Sequence, residues 1–284
     1  INPEAYLTGE IWWEDYKNCE LKNAAPWLRG DMFDAVMNYR FADATYQFFN
    51  QSVEPLSATE FAAEIQRLHL DYGYQTTLGL QNLLGSHDTQ RLASMVANPQ
   101  HRLDHGAAMA KNRDYGIEPP GNAARARLRQ IVAFQFLSPG APYIYYGDEV
   151  GMWGADDPDC RKPMLWPEFD YDEEVATPFG PPRREGVAVA PDLELLEFFR
   201  RLCKFRKSHP SVRRGSFRVL SADDDSRLFA FERRLEGETC IAVFNASDTI
   251  VDMPELDVGA PAAFKSEGTT NKRLAPRGFA VFVE

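Results

Sequence analysis

Four short apolar segments alternate with helix-like segments along residues 1–212, and this alternation restricts the fold more than any other feature. The apolar segments have the length and bounding turns of buried strands, and they cover residues 5–12, 33–39, 76–84 and 141–147. Strands that are joined by helices form parallel sheets with the helices packed outside them. The pattern therefore predicts an α/β fold that contains four consecutive βα units.

The strongest helical segments carry start and stop signals. Ser57 and Glu60 form a capping-box pattern, and Gly73 marks the end of the apolar spacing that follows it. Asn122 has the side chain of an N-cap, which predicts a helix over 122–137. An apolar stripe predicts another helix over 192–208.

Three other segments are less regular. Residues 42–51 predict a short helix with three aromatic side chains. Residues 92–121 are broken by prolines and predict either a lid-like loop or short helices beside a cleft. Residues 154–161 are rich in turn formers and charge, so they fit a solvated loop that binds calcium or a loop that grips a sugar.

The pattern of predicted secondary structure changes after residue 212. Short β-type runs, separated by turn signals, occupy residues 217–220, 228–233, 239–245, 251–253 and 278–283. Runs of this length and spacing predict a small antiparallel domain. The sequence therefore predicts two domains, an α/β domain over 1–212 and an all-β domain over 213–284.

Composition excludes several classes of partner. The chain has 284 residues and a net charge of −11 at pH 7, which argues against nucleic acid and acidic membrane surfaces as partners. No apolar run approaches the roughly 20 residues that span a bilayer. The four cysteines lie far apart without a Cys-x-x-Cys pair, and His101 and His105 have no third ligand pattern beside them, so we expect no metal site.

Two positions at strand ends carry the candidate chemistry. His87 and Asp88 follow an apolar strand-like run, and in an α/β barrel the functional side chains lie at the carboxyl ends of the strands. Glu10 lies near the end of the first apolar segment. Burial raises the pKa of a carboxyl group and suits it to general-acid work, but a structural glutamate fits the same position.

Several stretches in order give the chain a family resemblance. They are Gly9-Glu10-Ile11-Trp12, Trp27-Leu28-Arg29-Gly30-Asp31, Phe33-Asp34-Ala35-Val36-Met37-Asn38-Tyr39, Leu84-Gly85-Ser86-His87-Asp88-Thr89, Pro139-Gly140-Ala141-Pro142, Tyr145-Tyr146-Gly147-Asp148-Glu149 and Asp156-Asp157-Pro158-Asp159-Cys160-Arg161-Lys162. With them the chain resembles the α-amylase family of glycoside hydrolases, in its neopullulanase, cyclomaltodextrinase and maltogenic-amylase branch. The resemblance covers nearly the whole chain and is weaker in the last 70 or so residues.

The resemblance implies a fold of eight βα units closed into a barrel and followed by a β-sandwich. On this basis the chain is expected to be the C-terminal half of such a (β/α)8 TIM barrel, its last four βα units, followed by a small antiparallel β-sandwich domain. The family's nucleophile is an aspartate on the strand before the Gly-Glu-Ile-Trp strand. We therefore expect the chain to be a fragment without the nucleophile, and inactive when isolated.

The resemblance also assigns roles to residues. Glu10 is similar to the family's general acid/base, and Asp88 to the third carboxylate, which binds sugar hydroxyls and favours ring distortion. The expected substrate-binding side chains are His87 and Asn38 near the reacting sugar, Trp12 as a stacking platform, and Asp157 and Arg161 on a more distant glucose unit. No cofactor is expected.

The predicted function is that of a retaining α-glucan hydrolase acting on α-1,4 bonds, with α-1,6 bonds as a further option, in maltooligosaccharides, cyclodextrins or pullulan. Two alternatives stay open: a glucosyl transferase or isomerase of the same family, and a non-catalytic glucan-binding module if the chain is complete as given. The expected partner is an α-glucan, and a homodimer is an option for the parent protein. The sequence leaves the compartment undetermined.

Overall fold

The computed structural model describes residues 2, 4–176, 185–256 and 259–284. The strands in this part of the chain are β1 (Thr8–Gly9), β2 (Trp13–Asp15), β3 (Glu20–Leu21), β4 (Ala35–Val36), β5 (Gln81–Asn82), β6 (Ala141–Pro142), β7 (Ser216–Asp223), β8 (Leu228–Leu235), β9 (Glu238–Asn245), β10 (Val251–Asp252), β11 (Phe264–Lys265), β12 (Arg273–Leu274) and β13 (Phe279–Val283). The helices are α1 (Tyr39–Thr45), α2 (Ala58–Tyr72), α3 (Tyr74–Thr77), α4 (Leu92–Ala97), α5 (Asn122–Leu137), α6 (Leu193–Ser208) and α7 (Pro210–Arg214).

Four of the strands run parallel and side by side in chain order. β1 pairs with β4, and β5 pairs with β6. A single parallel bridge between Met37 and Gln81 joins the two pairs. In the order β1-β4-β5-β6, α1 to α3 lie between β4 and β5, and α4 and α5 lie between β5 and β6, as consecutive βα units produce. The connection from β1 to β4 instead contains the antiparallel β2-β3 hairpin and a short 3-10 turn.

The regular ladders are much shorter than the predicted strands, with two residues in each of the four. At β4 the cause is local: Asn38 follows almost at once, and its side chain accepts a hydrogen bond from the Phe41 amide and caps α1. Before β5, Gly73 takes a positive φ of 73° and the chain makes the helical turn of α3. The predicted strand over 76–84 is therefore wrong in its first half.

The long helices lie where their local signals place them. The Ser57–Glu60 capping box of α2 is formed in both directions, which confirms it. α5 has the predicted bounds, although Gly121 rather than Asn122 is its N-cap. Asp192 caps α6 by accepting the Leu195 amide. The predicted helix over 42–51 begins earlier, at Tyr39, and continues from α1 as a π-helical turn over Tyr46–Asn50.

The C-terminal region forms a five-stranded antiparallel sheet in the order β11-β13-β9-β8-β7, which confirms its predicted antiparallel character. The two-stranded sheet of β10 and β12 supplies side chains to one face of it, where Leu274 and Val251 pack with Ile241 and Phe282. The second layer is therefore only two strands wide.

The other face of that sheet packs on the helices. Phe229 and Phe244 of the sheet contact Phe49, Phe61 and Phe134 of the helical layer at ring-centroid distances between 5.0 and 6.3 Å. All five rings are fully buried. The boundary at residue 212 therefore runs beside a shared aromatic core, and the division into domains over 1–212 and 213–284 stays a prediction.

Guanidinium groups reinforce this contact. Arg233, which is 0% exposed, donates to the carbonyls of Leu137, Gly215 and Ser216. Arg277 donates in the same way to the carbonyl of Phe49 at 2.9 Å. Because the last carbonyls of a helix have no partner within it, these two arginines of the C-terminal region satisfy carbonyls at the end of α5, after α7 and in the π-helical turn.

Candidate active site

The carboxyl ends of the parallel strands bring three predicted site segments to one edge of the sheet. Glu10 directly follows β1, Asn38 lies two residues after β4, and the His87-Asp88 pair lies beyond β5. The residue before Glu10 is Gly9, and a larger residue does not fit there: a Cβ atom at this position would lie 2.7 Å from two ring carbons of Phe33. The close approach of this ring fixes the backbone from which Glu10 projects.

Glu10 is exposed rather than buried, so the expectation that it lies within a buried apolar strand is wrong. The segment before it, 4–8, is exposed as well, because β1 pairs on one side only among the described residues. The Glu10 carboxylate is nevertheless held: the Tyr39 hydroxyl donates to its Oε1 at 2.7 Å. Tyr39 itself is 2% exposed.

Trp12 lies beside this contact. Its ring stacks on the Tyr39 ring with a centroid distance of 4.0 Å and an interplanar angle of 9°. Trp13 stacks less closely on Trp12, at 5.7 Å. One face of Trp12 is thus occupied by Tyr39, and its role as a platform for sugar stays a prediction for the remaining surface.

The segment after β5 turns its two polar residues outward. The Ser86 amide donates to Thr89 Oγ1 at 2.8 Å, and the Asp88 amide donates to Ser86 Oγ at 3.2 Å. Ser86 and Thr89 are both fully buried. This compact turn leaves His87 exposed and Asp88 half-exposed, with His87 Nε2 3.4 Å from Asp88 Oδ2.

Arg161 joins the predicted distant subsite to this turn. Its guanidinium lies 2.7 Å from Asp88 and 2.9 Å from Asp157, and its Nε donates to the His87 carbonyl at 2.8 Å. The loop that carries it is fixed by Asp159, which is 1% exposed and accepts the Ala155 amide at 2.8 Å. The structure therefore brings His87, Asp88, Asp157 and Arg161 together.

Asn38 lies beneath the others. It is 4% exposed; its Oδ1 accepts the Phe41 amide, and its Nδ2 donates to Asn82 at 3.0 Å. Both polar ends of the side chain thus serve the junction between β4, α1 and β5. These contacts give Asn38 a structural role, and contact with substrate is not visible in its geometry.

Several groups near the site are not indicated by the sequence patterns. Tyr39 fits an apolar strand residue in the sequence, although a tyrosine at a strand end beside polar Asn38 is a usable signal. Ser86 is inconspicuous within the His-Asp motif. Burial, followed by the nearby charge of Asp156, raises the pKa of Asp104 to about 7. Asp104 belongs to the irregular stretch 92–121, where residue spacing gives no signal.

A buried ion pair joins the segments that follow β5 and β6. Arg91 is 0% exposed and lies 3.6 Å from Asp148, whose own exposure is 5%. Burial raises the pKa of Asp148 to about 7, with the Arg91 charge acting in the opposite direction. Arg91 also lies over the rings of Tyr145 and Tyr146 and donates to the Tyr146 carbonyl. It thereby connects the segments after β5 and β6.

Neither a grouped set of metal ligands nor a membrane-spanning helix accompanies the site in the described residues. Within 4–176, 185–256 and 259–284, no three His, Cys, Asp or Glu side chains are grouped as metal ligands would be. Among the helices of these same segments, none has the length and apolar character needed to cross a bilayer.

Comparison with known families places these features in context. The family model described as "Alpha amylase, catalytic domain" matches residues 1–215. A cyclomaltodextrinase from Geobacillus thermopakistaniensis is 33% identical over 275 residues, which cover 97% of this chain and 37% of that protein. Neopullulanase 2 from Thermoactinomyces vulgaris is 34% identical over 245 residues, covering 86% of this chain and 32% of that protein.

Solved structures agree with the sequence comparison. A structure of a cyclomaltodextrinase superposes with a TM-score of 0.70 at 28% identity and covers 99% of this chain. The chain spans 40% of that structure and about a third of the length of the two relatives named above.

Proposed function

The chain belongs to the α-amylase catalytic-domain family, and we propose that it supplies the acid/base and sugar-holding part of a retaining α-glucan hydrolase site. One observation carries the proposal. Glu10 follows β1 and Asp88 follows β5, the two parallel strands on either side of β4, and each carboxylate is held by a neutral or cationic donor, Tyr39 and Arg161 respectively.

Glu10 has the properties that proton transfer to a glycosidic oxygen requires. Its carboxyl group is accessible to a substrate, and one of its oxygens is fixed by Tyr39 while the other remains available. A retaining glycosidase uses one such group first as an acid toward the leaving oxygen and then as a base toward the incoming water or sugar. We assign both steps to Glu10.

Asp88 and its neighbours hold the sugar in this proposal. An ionised carboxylate only accepts hydrogen bonds, so Asp88 accepts from sugar hydroxyls and favours the distorted ring. His87 is exposed next to it and binds the same sugar. Asp157 and Arg161 grip a more distant unit, and the Arg161 ion pairs hold this part of the site in register with Asp88.

The attacking carboxylate comes from another segment in this account. Retaining enzymes need a second carboxyl group about 5 Å from the acid/base, and the family resemblance assigns it to a strand on the far side of β1. That edge of β1 is available: in the described part of the chain β1 pairs with β4 alone, and Tyr6 and Leu7 beside it are about half exposed. We propose that further βα units pair there and close a barrel.

The edge of β6 is available in the same way. Among the described residues β6 pairs only with β5, and Ile144 and Tyr146 next to it are exposed by 38% and 39%. An unpaired strand edge with apolar neighbours favours association with another chain. A barrel completed from both edges covers these groups, whereas the isolated chain leaves them open and is expected to self-associate.

The substrate class comes from the relatives. Their names describe proteins that act on cyclomaltodextrins and on pullulan. We therefore propose α-1,4 bonds of maltooligosaccharides and cyclodextrins as the main targets, and α-1,6 bonds of branched glucans as a further target.

The test compares two proteins: the isolated 284-residue chain and a longer protein that carries this chain together with the strands proposed to complete the barrel. Both are assayed on maltotriose, a cyclodextrin and pullulan. The proposal predicts release of glucose or maltose by the longer protein only. Robust hydrolysis by the isolated chain contradicts an external nucleophile, and absence of hydrolysis by the longer protein, with retained glucan binding, favours the binding-module alternative.

A further inference from the structure

A short chain of hydrogen bonds connects the two halves of the site. The Tyr39 hydroxyl lies 2.7 Å from Glu10 Oε1 and 3.2 Å from Ser86 Oγ. Ser86 Oγ in turn accepts the amide of Asp88 at 3.2 Å. The Tyr39 and Ser86 hydroxyl groups therefore link the carboxylate of Glu10, the proposed acid/base, to the backbone amide of Asp88, the proposed sugar-binding residue.

The direction of this chain follows from the number of protons available. A tyrosine hydroxyl has one proton, and Glu10 Oε1 can accept it both when the carboxyl group is ionised and when the acid proton is on the other oxygen, so Tyr39 donates to Glu10. The Ser86 hydroxyl must then donate to the Tyr39 oxygen, while its own oxygen accepts the Asp88 amide. The three hydrogen bonds therefore run in one direction, from the Asp88 amide through Ser86 and Tyr39 to Glu10.

The surroundings keep Tyr39 in its hydroxyl form and in one orientation. Burial raises the pKa of Tyr39, and the nearby carboxylates act in the same direction. Its ring is clamped by the parallel stack with Trp12 at 4.0 Å. A hydroxyl held on a buried, stacked ring is a fixed point against which an otherwise exposed carboxylate can be oriented.

We propose that Tyr39 is a positioning residue that holds one oxygen of Glu10 so that the other faces the glycosidic bond. The inference rests on the proposed function and deepens it, because it names the group on which proton delivery depends. Tyr39 contacts no reacting atom in this account, and it acts only through Glu10. Ser86 supports the same arrangement by orienting the Tyr39 hydroxyl.

The experiment uses two substrates in the longer, hydrolytically active protein. With maltotriose, the glycosidic oxygen leaves with a proton from Glu10. With α-maltosyl fluoride, the C–F bond breaks with its electron pair going to fluoride, and the leaving group needs no proton. The Tyr39→Phe variant should lower kcat on maltotriose by about tenfold or more, which is part of the 10²–10⁴ that acid/base catalysis contributes. On the fluoride, kcat/KM should change by less than about twofold, because it reports formation of the glycosyl-enzyme and not the later step in which Glu10 acts as a base. The maltotriose KM should stay within about twofold.

Two further variants extend the comparison. Ser86→Ala should give a smaller loss in the same direction, restricted to maltotriose. Tyr72→Phe is the matched control, because Tyr72 is also a buried tyrosine, at the end of α2, and among the described contacts its hydroxyl accepts a hydrogen bond from Arg40 at 3.3 Å and none involves Glu10. It should leave both substrates unchanged. Equal losses on both substrates in Tyr39→Phe, or no loss on either, would overturn the proposal.

A crystallographic arm decides the inference without relying on hydrolysis. In the crystal structure of Tyr39→Phe, the Glu10 carboxylate should leave the position that it has beside Tyr39 or occupy several rotamers. If it stays within about 0.5 Å of that position, Tyr39 does not position it. If the unmutated longer protein hydrolyses no α-glucan, the proposed function fails, and the position of Glu10 in the variant crystal still shows whether Tyr39 holds it.

Discussion

Arg161 lies 2.7 Å from Asp88 while the same guanidinium lies 2.9 Å from Asp157. Its Nε also donates to the backbone carbonyl of His87. One arginine thus contacts three other predicted site residues, Asp88, Asp157 and His87. All the side chains in these ion pairs are more than a third exposed, so the pairs contribute little to folding stability. Their main effect is to hold the Asp88 and Asp157 side chains in fixed orientations.

Replacing Arg161 should therefore weaken substrate binding more than stability. Arg161→Ala leaves Asp88 and Asp157 without their shared partner, and we expect the maltotriose KM of the longer protein to rise by about tenfold. Arg161→Lys keeps the charge but loses the two-pronged guanidinium geometry, so it should restore only part of the affinity. Arg200→Ala, which removes an exposed arginine paired with Glu197 on α6, is the control. An unchanged KM in Arg161→Ala would show that the pair is incidental.

Asp104 should make stability depend on pH. Burial raises its pKa from 3.8 to about 7, so the folded chain retains a proton that the unfolded chain loses above pH 4. Stability from this group is therefore present in full below about pH 4 and is lost as the pH rises to about 7. Asp104→Asn removes the charge that forms at this position. The free energy of unfolding of the variant, measured relative to the original chain, should therefore increase by about 2 kcal/mol as the pH rises from 4 to 8, with solvent screening allowed for.

Urea unfolding of the two proteins at several pH values measures this difference. The relevant quantity is the change with pH in the difference between their free energies of unfolding. Carboxyl groups that do not interact with Asp104 cancel from it, and what remains belongs to Asp104 together with its hydrogen-bonded neighbour Asp156. A difference that stays constant from pH 4 to 8 would mean that Asp104 ionises in the folded chain as it does in the unfolded one.

Arg233 should be a large contributor to stability. It is fully buried and donates to three carbonyls, those of Leu137, Gly215 and Ser216. Arg233→Met keeps much of the volume but leaves these carbonyls without that donor, and we expect a loss of about 3 kcal/mol in the free energy of unfolding. Arg234→Met, on the same strand but exposed, should lose less than about 0.5 kcal/mol. Similar losses in the two variants would contradict this role.

Removal of residues 213–284 should prevent the remainder from folding. Phe49, Phe61 and Phe134 would lose Phe229 and Phe244 as partners, and burial of one large aromatic side chain alone is worth about 1.5–3 kcal/mol. We expect a truncated 1–212 chain to show rapid proteolysis and no cooperative thermal transition by circular dichroism. A cooperative transition in the truncated chain would establish 1–212 as an independent folding unit.

Sequence reasoning succeeds where the signal is local. The capping box at Ser57 and the apolar stripe that follows Asp192 correctly predict where α2 and α6 begin, because a helix start depends on residues within one turn of it. The His87-Asp88 motif also lies beyond the strand end at which the sequence predicts it. These features depend on neighbours in sequence, so the sequence displays them.

The features that sequence reasoning misses depend on distant residues. The contact of Tyr39 with Glu10 joins positions 29 residues apart, and that of Arg233 with Leu137 joins positions 96 apart. The predicted burial of Glu10 fails because it depends on which strands lie beside β1, and the two-residue ladders depend on where each chain segment turns away. Periodicity within one segment contains no information about such partners.

The central claim is that Glu10 delivers the proton in an α-glucan hydrolase site, and the most direct test is the kcat of Glu10→Gln on maltotriose in the longer protein. Glutamine keeps the shape and loses the proton, so the account predicts a fall of about 10²–10⁴. Glu14→Gln, which removes an exposed carboxylate paired with Lys22, should leave kcat unchanged. A Glu10→Gln protein that turns over maltotriose at the original rate would contradict the account.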